Sequence, residues 1–183
     1  MDPTRKDIAA EAARFAAEAH KGQRYGDLPY TEHLRMVHEV VDGYLLPGDS
    51  FREEGVAAAW LHDVLEDTPV GQADLSDAFG PVITDIVWRC TGIGPNRKAR
   101  QAAILSKLTP TPDEPEWAPT ARLVKVADRV SNVAQCRVTG DDRRLRMYRK
   151  ESRAFAEALH VPGEWDPLWA GLFDLFDHPS DLT

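Results

Sequence analysis

The chain has 183 residues, 43% of them hydrophobic and 28% charged, which is the length and composition of a globular protein with a buried core. A formal net charge of −8 argues against nucleic acid or an anionic membrane as partner, although local basic clusters leave room for a small polyanion. No run of about 18 apolar residues and no secretory signal is present, and Cys90 and Cys136 lack CxxC spacing. We therefore expect a cytoplasmic protein that forms one domain over residues 1–183.

The spacing of apolar residues predicts helices almost throughout the chain. Residues 91–96 and 109–120 are predicted loops, the second because it contains four prolines. No alternating strand pattern of useful length occurs, so the predicted fold class is an all-α bundle. A short turn is predicted over residues 74–79, ending at Gly80. The predicted helices are one capped by Thr4, one from Thr31 to before Pro47, one ending at Thr68, one beginning after Gly80, and four over 97–107, 121–137, 142–159 and 166–176.

The stretch AAAWLHDVLEDTPV, residues 57–70, places four ionisable groups among apolar residues. On one continuous helix they fall within an arc of about 140°, and apolar side chains fill the opposite arc. Gly55 and Ala59 lie on the polar side and would leave space beside the imidazole. Because buried charges are costly unless they are paired or bound to a metal, this pattern predicts a site. The four groups are His62, Asp63, Glu66 and Asp67.

The helix predicted from residue 121 carries a second polar cluster. Asp128 and Asn132 share a face at i and i+4, and His33 lies at the start of the second helix. With His62 and Asp63 they provide two imidazoles and two carboxylates, a set that suits Mn, Fe or Zn better than Mg or Ca. The plainer alternatives are a structural histidine and an asparagine bonded to backbone.

These residues resemble a known signature. His33, the pair His62-Asp63 and Asp128 resemble the H…HD…D pattern of the HD-domain phosphohydrolases. Four longer stretches narrow the likeness to the RelA/SpoT-type hydrolase domain, and the resemblance as a whole covers about residues 8–155. They are HKGQRYGDLPYTEH (20–33), HDVLEDT (62–68), FGPVITDIV (79–87) and LVKVADRVSN (123–132).

The resemblance implies an HD-domain helical bundle acting as a stand-alone alarmone hydrolase. It implies one Mn²⁺ bound by His33, His62, Asp63 and Asp128. Glu66 and Asp67 would activate and position the attacking water, and Asn132 would support a small nucleotide substrate. The implied reaction is hydrolysis of the 3′-pyrophosphate of ppGpp or pppGpp.

The loop after Gly22-Gln23 departs from the family, which has a basic pair there whose first member stacks on guanine. Here Arg24 and Tyr25 follow, and the loop is one residue shorter. Either Tyr25 stacks on the base or Arg24 turns inward. Lys21, Arg97, Lys98 and Arg146 are further candidates for phosphate contact, with ordinary solvated charges as the alternative.

Two other functions remain open at this point. The altered loop favours an HD phosphohydrolase acting on another nucleotide, such as NADPH or a nucleoside phosphate. A non-catalytic alarmone-sensing or metal-binding module is the third hypothesis, against which Glu66 and Asp67 argue. The aromatic helix 166–176 is predicted to be core or oligomer contact, so the oligomeric state stays open.

Overall fold

The computed structural model describes residues 7–177, and helices form nearly all of its regular structure. This confirms the predicted all-α class; a single antiparallel pair of two-residue strands is the exception in this part of the chain. The elements are α1 (Ile8–Ala19), β1 (Arg24–Tyr25), β2 (Leu28–Pro29), α2 (Thr31–Tyr44), α3 (Arg52–Leu61), α4 (Val64–Asp67), α5 (Gln72–Cys90), α6 (Arg97–Leu108), α7 (Ala118–Thr139), α8 (Asp142–Leu159) and α9 (Asp166–Asp177).

The starts of two helices have local causes. The N-cap of α1 is Asp7, whose carboxylate accepts the Ala10 N–H at 3.2 Å. The cap predicted at Thr4 lies outside the described residues. α7 begins at Ala118, three residues early, because Pro119 fits in the first turn of a helix, where its missing N–H would have no partner.

The continuous helix predicted over residues 57–67 is wrong. α3 ends at Leu61, and the short α4 begins only after Asp63, whose φ of −102° and ψ of −3° depart from helical values. Backbone N–H groups of Glu66 and Asp67 restart the helix by bonding to the Asp63 carbonyl at 3.1 and 2.9 Å.

Gly55 does not leave space beside the imidazole, as the sequence suggested. A Cβ atom at this position would lie 2.5 Å from Cδ1 of Leu45 and 2.7 Å from Cγ2 of Thr120. The glycine is therefore needed where α3 packs closely against the first turn of α7. By contrast, the interruption predicted at Gly80 is confirmed, because α5 has a kink there with a φ of 81°. The turn predicted over residues 74–79 is wrong, because these residues form the first part of α5.

α7 is the central helix of the fold. It contacts α2, α3, α5, α6, α8 and α9, and one hydrophobic core joins the helices of residues 7–177. α9 packs on α7, and the guanidinium of Arg137 on α7 donates to the carbonyls of Leu175 and Phe176 near the end of α9. Trp169 of α9 is buried against Phe155 of α8. No helix within the described range has the length and hydrophobicity needed to cross a bilayer.

A buried arginine joins two connecting segments to α7. Arg122 is 1% exposed, and its guanidinium donates to Glu164 from Nε at 2.9 Å and to Glu114 from Nη1 at 2.8 Å. Glu114 belongs to the segment before α7, and Glu164 to the segment between α8 and α9. The guanidinium therefore holds both connections against the central helix.

Replacing Arg122 tests this arrangement. Arg122→Ala should lower the free energy of unfolding by about 1.5–3 kcal/mol, because it removes charge-assisted hydrogen bonds to two carboxylates that stay partly exposed. Urea unfolding followed by circular dichroism measures the loss. Arg153→Ala, which breaks an ion pair on a side chain that is 89% exposed, is the control and should leave the midpoint unchanged. Equal midpoints for the two variants would contradict the assignment.

Candidate active site

Three parts of the chain bring two imidazoles and two carboxylates to one point. His33 comes from the first turn of α2, His62 and Asp63 from the break after α3, and Asp128 from the middle of α7. The Nε2 atoms of His33 and His62 are 3.2 Å apart, and Oδ1 of Asp128 lies 3.3 Å from Nε2 of His33. Oδ2 of Asp63 lies 3.5 and 3.0 Å from the two nitrogens.

The donor atoms have the chemistry of a divalent metal site. Nδ1 of His62 lies 2.9 Å from the Ala59 carbonyl and donates to it, which leaves the lone pair on Nε2, the atom that faces the other donors. One donor atom from each of His33, His62 and Asp128 lies within 4.8 Å of the others. Two imidazole nitrogens with carboxylate oxygens form a mixed set that a divalent transition metal binds.

The electrostatics of the cluster favour a cation. Burial alone would raise the pKa of Asp63, but the charge of His62 and a hydrogen bond with His33 hold that pKa well below its usual range. Burial would lower the pKa of His33, and its hydrogen bonds with Asp128 and Asp63 instead raise it to about 9. Positive charge is thus stabilised at the point where the four side chains meet.

The second oxygen of Asp128 has its own partner. Nζ of Lys125, one turn earlier on α7, donates to Oδ2 of Asp128 at 2.8 Å. Burial would raise the pKa of Asp128, but the Lys125 charge holds it far below its usual range. Asn132 donates from Nδ2 to Oδ1 of Asp128 and to its carbonyl oxygen.

Glu66 and Asp67 lie beside the cluster on α4. Oε2 of Glu66 accepts the Gly92 N–H at 2.6 Å, and a Cβ at Gly92 would crowd this carboxylate at 3.0 Å. The Tyr30 hydroxyl lies 2.6 Å from Oδ2 of Asp63 and 3.3 Å from Oδ2 of Asp67. Burial raises the pKa of both Glu66 and Asp67. A carboxylate with a raised pKa is better suited to accept a proton near neutral pH.

A cavity of about 350 Å³ opens beside these groups. Cationic side chains from α6 and α7 line it together with the acidic groups already described. Its volume and polarity fit a small anionic molecule. The cationic lining residues are Arg97, Arg100, Lys125 and Arg129.

The structure brings some of the predicted substrate residues to the cavity. Asn132 and Tyr25 line it, as does Arg97, whose guanidinium also forms a bidentate pair with Glu151 at 2.9 Å. Tyr25 is 8% exposed and its ring is stacked on His33, so it presents little surface to a base.

The other four predicted substrate residues do not line the cavity. Lys21 pairs with Glu18 at 3.2 Å, and Nη2 of Arg24 bonds to the Asp27 carbonyl. Lys98 is exposed, and Arg146 borders a separate hollow on α8. These placements follow from their positions on solvent-facing sides of their elements.

The sequence reasoning missed several residues of the site. Lys125 precedes Asp128 by three positions, and Tyr30 precedes His33 by three, so helical spacing offered a signal for both. Arg100 lies one turn after the predicted Arg97 on α6, whereas Arg129 and Tyr148 reach the cavity through packing that no local pattern reveals.

Comparisons with known proteins agree with this geometry. A guanosine-3′,5′-bis(diphosphate) 3′-pyrophosphohydrolase of Aquifex aeolicus is 28% identical over 165 residues, which cover 89% of this chain but 23% of that protein. A Danio rerio enzyme of the same name is 30% identical over 129 residues, covering 69% of this chain and 67% of that enzyme. This chain therefore spans about a quarter of the first relative and two thirds of the second.

The fold is shared with a solved structure. A metazoan ortholog of SpoT, described as hydrolysing ppGpp, superposes with a TM-score of 0.72 at 22% identity, covering 94% of this chain and 95% of that one. The family model described as HD domain matches residues 12–158. The chain belongs to the HD domain family.

Proposed function

We propose that this chain is a Mn²⁺-dependent phosphohydrolase that removes the 3′-pyrophosphate of ppGpp or pppGpp. The observation that carries the proposal is the convergence of His33, His62, Asp63 and Asp128 next to Glu66, at a cavity with cationic residues. The names of the relatives from Aquifex aeolicus and Danio rerio supply the substrate. The products are GDP or GTP and pyrophosphate.

The four side chains that converge would hold the metal. Mixed nitrogen and oxygen donors suit Mn²⁺, Fe²⁺ or Zn²⁺ better than Mg²⁺ or Ca²⁺, and Mn²⁺ is the ion that the family resemblance implies. When bound, a divalent ion stabilises charge on phosphoryl oxygens and lowers the pKa of a water ligand. The chain supplies the fixed positions of the donors.

Glu66 is the proposed proton acceptor. The Gly92 N–H fixes one of its oxygens, and the other faces Arg100 at 3.7 Å. Asp67 is held on both sides, because Tyr30 reaches its carboxylate and Nε2 of Gln23 donates to its carbonyl at 2.7 Å. We assign Asp67 to orienting the attacking water while Glu66 takes its proton.

Binding of the polyphosphate is assigned to the cations of the cavity. Arg97 and Arg100 of α6 and Arg129 of α7 can neutralise phosphate oxygens, since guanidinium groups match phosphate geometry. Asn132 has its amide against Asp128 and would contact the substrate close to the metal ligands.

Burial of Cys90 and Cys136 as free thiols supports the further proposal of a reducing, cytoplasmic setting.

A second nucleotide substrate is favoured by one observation. Tyr25 is buried against His33, and Arg24 bonds to Asp27, so the two residues expected to meet guanine are engaged elsewhere. Hydrolysis of another nucleotide, such as NADPH or a nucleoside phosphate, is therefore the alternative function.

A substrate panel separates the two functions. Purified protein with Mn²⁺ is incubated with ppGpp, pppGpp, NADPH and nucleoside mono- and triphosphates, and products are resolved by anion-exchange chromatography. Release of pyrophosphate from ppGpp at the highest kcat/KM supports the proposal. Higher kcat/KM for NADPH or a nucleoside phosphate would establish the alternative.

Removing a metal ligand should empty the site. Asp63→Ala and His62→Ala should each lose most bound Mn²⁺ and all hydrolysis, because the remaining donors hold a divalent ion poorly. Elemental analysis of dialysed protein measures the metal content. Asp113→Ala, an exposed aspartate on the segment before α7, is the matched control and should keep its metal. Full metal content in Asp63→Ala would refute the ligand assignment.

Removing the proposed base should separate binding from chemistry. Glu66→Gln keeps the shape of the side chain and should retain Mn²⁺ while losing about 10²- to 10⁴-fold in kcat. Steady-state kinetics at saturating Mn²⁺ give the change, with Glu116→Gln at an exposed position as control. Near-normal turnover in Glu66→Gln would move the base to Asp67 or to the substrate.

A further inference from the structure

The two imidazoles of the metal site are held in different ways. His62 is oriented by the hydrogen bond from its Nδ1 to the Ala59 carbonyl at 2.9 Å. Nδ1 of His33 is buried and has no hydrogen-bond partner within residues 7–177. Metal-binding histidines almost always use that second nitrogen to fix the ring, so His33 must be oriented by another contact.

The contact that His33 makes instead is with the ring of Tyr25. The two rings are stacked, with centroids 4.8 Å apart and planes inclined by 25°. Tyr30 adds an edge-on contact at 5.7 Å and 73°. Aromatic contacts of this kind are worth more than the area they bury, and they restrict rotation of the imidazole.

The short hairpin explains why Tyr25 reaches this position. β1 and β2 pair with Tyr25 opposite Leu28, and Gly26 has a φ of 60° at the first of the two loop positions. A glycine with positive φ there is favoured in two-residue hairpins. Because side chains alternate along a strand, Arg24 is exposed and Tyr25 is buried.

The hydroxyl of Tyr25 reaches a second ligand through Asn132. It donates to Oδ1 of Asn132 at 3.1 Å. With its oxygen engaged in this way, the amide turns its Nδ2 toward Asp128, where it donates to the carboxylate and to the carbonyl at 3.1 Å. The orientation of Asp128 thus depends in part on Tyr25.

We propose that Tyr25 is a positioning residue of the metal site and not a platform for the base. Its ring fixes His33, and its hydroxyl, through Asn132, fixes Asp128. The inference rests on the divalent metal of the proposed function, and it holds whichever nucleotide is hydrolysed. This positioning role explains why Tyr25, which lies beside the turn of the hairpin, is only 8% exposed.

The test is the dissociation constant for Mn²⁺, measured by electron paramagnetic resonance of the free ion. Tyr25→Leu should weaken binding about 10- to 100-fold, the range for loss of a group that orients a metal ligand. KM for the nucleotide at saturating Mn²⁺ should stay unchanged. Tyr44→Leu is the matched control, because Tyr44 lies at the far end of α2 and contacts Trp165. It should lower the melting temperature without affecting Mn²⁺ binding.

Tyr25→Phe isolates the hydroxyl and also serves if Tyr25→Leu does not fold. It should weaken Mn²⁺ binding less than Tyr25→Leu does, and this loss should vanish in an Asn132→Ala background, since the hydroxyl acts through Asn132. An unchanged loss in that background, or none in the single variant, would overturn the inference. So would a raised KM in Tyr25→Leu with wild-type Mn²⁺ affinity, which identifies a base platform. If wild-type protein binds Mn²⁺ but leaves ppGpp intact, only the proposed substrate is contradicted. The Mn²⁺ dissociation constants of the Tyr25 variants, each divided by that of the wild type, would still decide the role of Tyr25.

Discussion

The concentration of two imidazoles and two carboxylates at the centre of the fold is the constraint on which the rest depends. His33 and His62 are buried almost completely, and Asp128 lies on the helix around which the other helices pack. Groups of this kind are costly to bury unless charge is balanced, so the site needs a cation. Lys125 balances one oxygen of Asp128, and a divalent metal accounts for the atoms that face each other.

The junction between α3 and α4 supplies half of this cluster. His62 and Asp63, neighbours in sequence, have side-chain atoms within 3.0 Å of each other, and Glu66 and Asp67 follow on the next turn. Three of the four carboxylates that line the cavity thus come from one short stretch, and the fourth, that of Asp128, comes from α7. The cationic side chains come from α6 and α7, so the cavity joins a site that attracts a metal with a surface that attracts phosphate.

Much of this architecture was predictable from the sequence. Helical periodicity located the helices, and α8 has the predicted bounds, Asp142–Leu159. The histidines and aspartates of the H…HD…D pattern are the side chains that converge. The features that the sequence did not predict depend on which elements become neighbours. They are the break at Asp63, the packing of Gly55 against Thr120 and the stacking of Tyr25 on His33. Local patterns carry little information about such contacts.

The central claim is that one divalent ion lies between the four side chains. Crystals grown with Mn²⁺ and measured at the manganese absorption edge test it directly. The account predicts one strong anomalous peak within bonding distance, about 2.0–2.3 Å, of Nε2 of His33 and His62 and of an oxygen of both Asp63 and Asp128. A peak elsewhere, or none at this point with the four side chains ordered, would contradict it.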